Sequence, residues 1–151
     1  MNQDLPEIVK CAERQLAEVH VAVERFTRAN RYGYGVELKR QALQLASITT
    51  RAWREAPRRR ELVDELIHLL DDFKTYLRLG KQLQAFTSFR QFEALARTAE
   101  SLGRQAGGWK KKQQQHPQGQ NPTSQRHASS ERATILSSRV TSTSSRPEVN
   151  R

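Results

Sequence analysis

The sequence predicts an all-α protein, an up-down-up-down four-helix bundle followed by a disordered basic tail, and three observations lead there. Over residues 1–109 the apolar positions recur at spacings of three and four, with no sustained alternation of period two. Gly, Pro and Asn punctuate that pattern into stretches of about 20 to 25 residues with short connections, which pair as antiparallel neighbours. Composition then breaks: residues 1–109 hold 48 apolar residues and all ten aromatics, whereas 110–151 hold six apolar residues. The later stretch is rich in Ser, Thr, Gln, Asn and Pro, too polar to offset the entropy of ordering itself. The bundle is therefore expected over residues 1–112 and the tail over 113–151.

The first helix opens at Asp4, Pro6 and Glu7, a cap with Pro in the first turn, and carries the stripe Ile8, Ala12, Leu16, Val19, Val23, Phe26. A turn is expected around Asn30, Gly33 and Gly35. From about Val36 a second helix carries Leu38, Ala42, Leu45, Ile48 and Ala52, with Leu43, Ala46 and Trp53 in a neighbouring row that implies a second buried side. Pro57 suits the first turn of a third helix, bearing Leu62, Leu66, Leu69, Leu70, Phe73 and Leu77 and fraying after Gly80. A fourth starts at Ser88, which stands at capping-box spacing from Gln91, and its seam is Phe92, Leu95, Ala99, Leu102, Ala106, Trp109. Gly103 and Gly107 on that helix read as a place where a neighbouring backbone comes close, or as a loosened helix end.

The single cysteine, Cys11, leaves no internal disulfide and no multi-cysteine zinc site, and reads as a small core residue. No apolar run approaches the roughly 18 residues of a membrane span, and the first ten residues lack a signal peptide's basic start and apolar stretch. No membrane association and a cytoplasmic location are expected. No nucleotide-binding glycine motif, nucleophile elbow or HExxH pattern occurs, and no cofactor is implied. His20 and His68 fall in different helices, while His116 and His127 fall in the tail. Asp64, His68, Asp71 and Asp72 share a helical face, so a metal-dependent enzyme is one alternative, set against a solvated acidic face. The expectation is a protein without catalysis.

Charge is the more informative signal. With 26 Lys plus Arg against 16 Asp plus Glu, the formal net charge is +10, which favours polyanionic or acidic partners. Eight cations (Arg31, Lys39, Arg40, Arg51, Arg54, Arg58, Arg59, Arg60) face only Glu37 and Glu55 between positions 31 and 60. Arg58 to Arg60 open the third helix, where the macrodipole disfavours cations, so either an external anion or pairs such as Arg60 with Asp64 must compensate. Lys110, Lys111 and Lys112 close the fourth helix and read as a second, separate patch. The aromatics fall mostly on apolar seams, which points to phosphate contact rather than base stacking. Tyr32 and Tyr34 are the exception, and pack under their loop or meet a partner.

The stretches RANRYGYGVELKRQALQLASITTRAWRE and DDFKTYLRLGKQLQAFTSFRQFEALARTAESLGRQAGGWKK resemble the accessory variability determinant (Avd) family of diversity-generating retroelements, itself similar to the four-helix proteins encoded in 23S rRNA intervening sequences. The resemblance spans about residues 5–112. Its most specific pieces are Tyr32 to Arg40, Arg78 to Lys81, and Leu102 to Trp109; none is a strict motif. It implies a basic bundle assembling as a homopentamer, which binds the retroelement's reverse transcriptase and template-repeat RNA or cDNA and supports mutagenic reverse transcription (mutagenic retrohoming). Carried over by position, the binding residues it implies are Lys39, Arg40, Arg51, Arg54, Arg78, Lys81 and Arg104. Arg58, Arg59, Arg60, Lys110, Lys111 and Lys112 join them on charge alone. The long polar tail departs from the family pattern. The alternative is an intervening-sequence-type nucleic-acid-binding bundle with no reverse transcriptase partner.

Overall fold

A computed structural model describes residues 4–115, all of whose regular structure is helical. Four long helices, α1 (Glu7–Glu24), α2 (Val36–Arg54), α3 (Arg59–Gln82) and α4 (Phe89–Gln115), surround one apolar core. Contacts join α1 to α2, α2 to α3, α3 to α4 and α4 back to α1. The expected tail lies, from residue 116 onward, outside the described residues, as do His116 and His127; α4 runs to Gln115, three residues past Lys112.

The spacing of apolar residues sets which face each helix buries. On α1, Ile8, Ala12, Val19 and Val23 are buried as the stripe predicts, joined by Val9, Cys11, Ala22 and the amide of Gln15. Both amide atoms of Gln15 lack a hydrogen-bond partner among the described residues. Pro6, rather than Asp4, is the N-cap, and its carbonyl accepts from the amides of Val9 and Lys10. On α2, Leu38, Ala42, Leu45, Ile48 and Ala52 are buried, and of the neighbouring row Ala46 is buried and Trp53 partly buried, whereas Leu43 is 54% exposed. The buried face of α2 is widened by Ala46 and Thr49, in keeping with its packing against both α1 and α3.

The largest departure from expectation lies between α1 and α2. The chain reverses over Arg25–Thr27, not at the glycines, and Gly33 and Gly35 fall inside a π-helical stretch, Arg31–Gly35, that runs directly into α2. Neither glycine is needed for a turn. Gly35 is needed for close approach, since a Cβ there would lie 2.6 Å from the Cγ1 of Val23. The wider π turn drives the Tyr34 ring into the core. There its hydroxyl donates to the carbonyl of Tyr76 at 2.9 Å, and its ring stacks on Tyr76 with centroids 4.7 Å apart. Burial, more than the neighbouring Tyr76 phenol, pushes the Tyr34 hydroxyl well above its ordinary pKa, so it remains a donor. Arg31 closes the preceding turn by donating to the carbonyls of Glu24, at 2.6 Å, and Phe26, at 3.3 Å, which α1 leaves open at its end.

Pro57 sits in a 3-10 turn, Ala56–Arg58, that leads into α3. That helix does not fray after Gly80, because Gly80 is buried against the Tyr34 ring and a Cβ there would overlap the phenol. It ends two residues later in a Schellman arrangement: Ala85 N–H donates to Gly80 at 2.9 Å and Gln84 N–H to Lys81 at 3.2 Å, with Gln84 at φ 52°. Ser88 then caps α4, its hydroxyl accepting from Gln91 N–H at 3.2 Å, while Gln91 Oε1 reaches back to Thr87 N–H rather than to that of Ser88. Leu95, Ala99, Leu102 and Ala106 are buried along α4, with Phe92 and Trp109 partly buried at its ends. Gly103 lets α3 approach, a Cβ there lying 3.3 Å from Leu70, whereas Gly107 faces open space.

Two stability outcomes follow from this packing. Gly80→Ala overpacks the Tyr34 pocket and is expected to cost about 2–3 kcal/mol in urea unfolding; an unchanged midpoint would refute the close packing. Gln84→Gly removes the left-handed penalty at the helix end and is expected to raise stability by about 1 kcal/mol, read in the same titration.

Candidate nucleic-acid interface

The thirteen cations singled out from the sequence fall into three groups according to their partners. Five are ion-paired. Lys39 reaches Glu24 across the α1–α2 turn at 3.4 Å. Arg40 donates to Glu37 one turn back on α2, with Nε to Oε2 at 2.7 Å. Arg51 meets Glu55 at 3.4 Å, and Arg58 bridges Glu55 and Glu61 at 3.4 and 3.2 Å. Lys110 meets Asp64 at 3.0 Å, so the Arg60–Asp64 pair suggested by spacing does not form. These pairs are largely exposed, and pairs of that kind contribute at most about 1 kcal/mol each and exchange readily for another anion.

Arg59 has a structural task. Its Nε and Nη2 donate to the carbonyls of Ala52 and Trp53, both at 2.8 Å, closing the C-terminal end of α2, while its guanidinium lies 5.9 Å from the Trp109 ring centroid. This contact and Lys110–Asp64 bring the end of α4 beside the start of α3. Arg58 to Arg60 and Lys110 therefore adjoin in one patch, not the two read from the sequence.

Arg54, Arg60, Arg78, Lys81, Arg104, Lys111 and Lys112 carry no ion pair among the described residues. Arg78 donates only to the hydroxyl of Thr75, at 3.0 Å. Arg54 lies over its neighbour Trp53. Most of the unpaired set belongs to α3 and α4, whereas sequence density pointed to α2. Carboxylates are the difference: Glu37 and Glu55, one turn away, neutralise Arg40 and Arg51, and Glu24 at the end of α1 meets Lys39.

The arrangement offers positive charge rather than reactive groups. Among the described residues no group of three or more His, Cys, Asp and Glu side chains converges on a common point, and Asp64 is held by Lys110. A larger apolar cleft of about 460 Å³ lies between α1 and α4, with Arg25 and Arg90 at its rim, away from most of these cations. Among the described residues, no helix is long and apolar enough to cross a membrane. Of the two tyrosines that the sequence set apart from the seams, Tyr34 packs in the core and Tyr32 is 69% exposed; sequence reasoning missed a second exposed aromatic, Phe89, at 63%. Phe89 stands one residue after the Ser88 cap, off the Phe92 seam, and that offset was the available signal.

No model of a known protein family matches the chain, and no curated protein matches it in sequence.

The Glu37–Arg40 pair yields a pH outcome. Hydrogen bonds from Arg40, then Gln41, lower the Glu37 carboxyl to about 2. A carboxyl depressed on folding contributes stability above its unfolded pKa, near 4.5, and loses it as pH falls toward 2. NMR titration is expected to place the Glu37 midpoint near 2 in the native chain and back in the ordinary carboxylate range in Arg40→Ala.

Proposed function

We propose that the chain is a non-catalytic accessory protein of the Avd kind, an up-down-up-down bundle assembling as a basic homopentamer that binds a reverse transcriptase and its template RNA or cDNA. The observation that carries this reading is the contact of Tyr34 with Gly80. Two of the three segments on which the resemblance rests, Tyr32 to Arg40 and Arg78 to Lys81, interlock there, and of their cations Arg40, Arg78 and Lys81 are exposed. A spacing shared by chance has no reason to fall on residues that pack together. The all-helical fold, the four long helices and the unpaired cations of α3 and α4 also support the reading. Phosphate contact by such cations requires no pocket and reads no bases.

Light scattering and binding test it together. A pentamer of the 17.4 kDa chain has a mass of about 87 kDa, and a monomer at moderate and high salt would overturn the assembly. Lys39→Ala with Arg40→Ala, and separately Arg78→Ala with Arg104→Ala, are expected to weaken RNA binding while leaving helicity intact. For every phosphate that a variant no longer neutralises, the slope of log K against log salt should shrink by about 0.7 on a single strand. RNA binding without reverse transcriptase binding would instead select the intervening-sequence-type reading.

A further inference from the structure

The exposed ring of Phe89 is not an isolated apolar side chain. It lies 6.0 Å from Phe92, which lies 5.6 Å from Phe86, which in turn meets Phe26 edge-on at 5.4 Å in the core. The outer ring is thus braced from behind by a file of aromatics. Lys81 places its ammonium 5.2 Å from the Phe89 centroid and 5.5 Å from that of Phe92, and these groups line a cleft of about 200 Å³ with Gln84 and Ser88.

The same cleft opens a longer path. Lys81, Lys74 and Arg60 recur along one face of α3, and Phe89, Arg104 and Lys110 along the facing side of α4. Lys74 and Arg104 line a second cleft between the two helices, and Arg60 and Lys110 a third. From Lys81 to Arg60 the α3–α4 seam runs about 30 Å. Asp64, Asp71 and Glu100 interrupt it, and Lys110 answers the first of these.

A fixed aromatic face beside a cation, at the end of a cationic seam, fits a chain that carries flat bases on an anionic backbone. We propose that Phe89 is a base-stacking station for single-stranded nucleic acid whose backbone follows the α3–α4 seam from Lys81 toward Arg60. The inference rests on the nucleic-acid part of the proposed function and adds to it a contact that duplexes, with their bases already stacked on one another, cannot make. An apolar protein segment would leave the cations of the seam without use, which is why a nucleic acid is the occupant favoured.

The test uses the full chain and three labelled probes of equal length: a 12-nucleotide oligouridine, an abasic strand with the same backbone, and a duplex. The native chain is expected to bind oligouridine more tightly than the abasic strand. Phe89→Ala should raise the oligouridine Kd about 5- to 100-fold and leave the other two unchanged, while Phe89→Trp retains the native preference. Because Phe89 is exposed, the melting temperature should stay near native and serve as the control for folding. If all probes bind and Phe89→Ala treats them as the native chain does, stacking is overturned while the accessory-protein reading stands. If the native chain binds none of them, both fall. If Phe89→Ala spares oligouridine but abolishes association with the reverse transcriptase, a protein covers the ring and the stacking proposal is overturned.

Discussion

The insertion of Tyr34 into the core is the constraint on which the rest of the molecule depends. Its ring stacks on Tyr76 of α3 and faces Phe26 at the end of α1 and Phe86 in the α3–α4 turn, while its hydroxyl satisfies a helix carbonyl. One side chain therefore ties together segments more than forty residues apart. Two glycines make room for it and for its helix: Gly80 beneath the ring, and Gly35 where the chain passes Val23. Larger residues at either place would push α2 away from its neighbours. The connections at this end then follow, with Arg31 closing α1 and the Schellman turn ending α3 immediately past the phenol.

The opposite end is held differently. No aromatic file lies there; instead a guanidinium does two jobs, with Arg59 capping α2 through two carbonyls and covering Trp109 of α4. The macrodipole cost of cations at the start of α3, evident in the sequence, is met at two of the three positions. Arg58 pairs with flanking carboxylates, Arg59 turns back to the preceding helix, and Arg60 points to the α3–α4 seam without a counter-charge among the described residues. A run of three like charges is thus three environments, and a count of basic residues overstates the charge free for a partner.

The helical stripes were legible because the core is built from residues at spacings of three and four, and Ser88 announced its helix through a local hydrogen bond that spacing alone encodes. Gln15 was not legible as a core residue, since its position fits the α1 stripe while its chemistry argues against burial. The π-helical lead into α2 was hidden for a comparable reason: Gly, Tyr and Asn together read as a turn, and only the tertiary demand for Tyr34 converts them to helix. Of the candidate site, the residue types were readable and their availability was not. Whether Lys39 or Arg78 is free depends on which carboxylate the fold brings near, a long-range outcome for Glu24 and Lys39 in particular.

The π-helical stretch has a consequence for comparing this chain with others. An added residue in a helix turns everything after it by about 100° relative to everything before, while leaving the path of the axis nearly unchanged. Residues 28–30 and 36–54 therefore belong to one continuous rod but to two angular frames. A single ungapped alignment across them assigns core positions correctly on one side only. A relative lacking one residue between Arg31 and Gly35 would keep the same α2 core and lose the inward swing of the tyrosine, so that a one-residue gap there marks where two such proteins differ in how their helices are pinned.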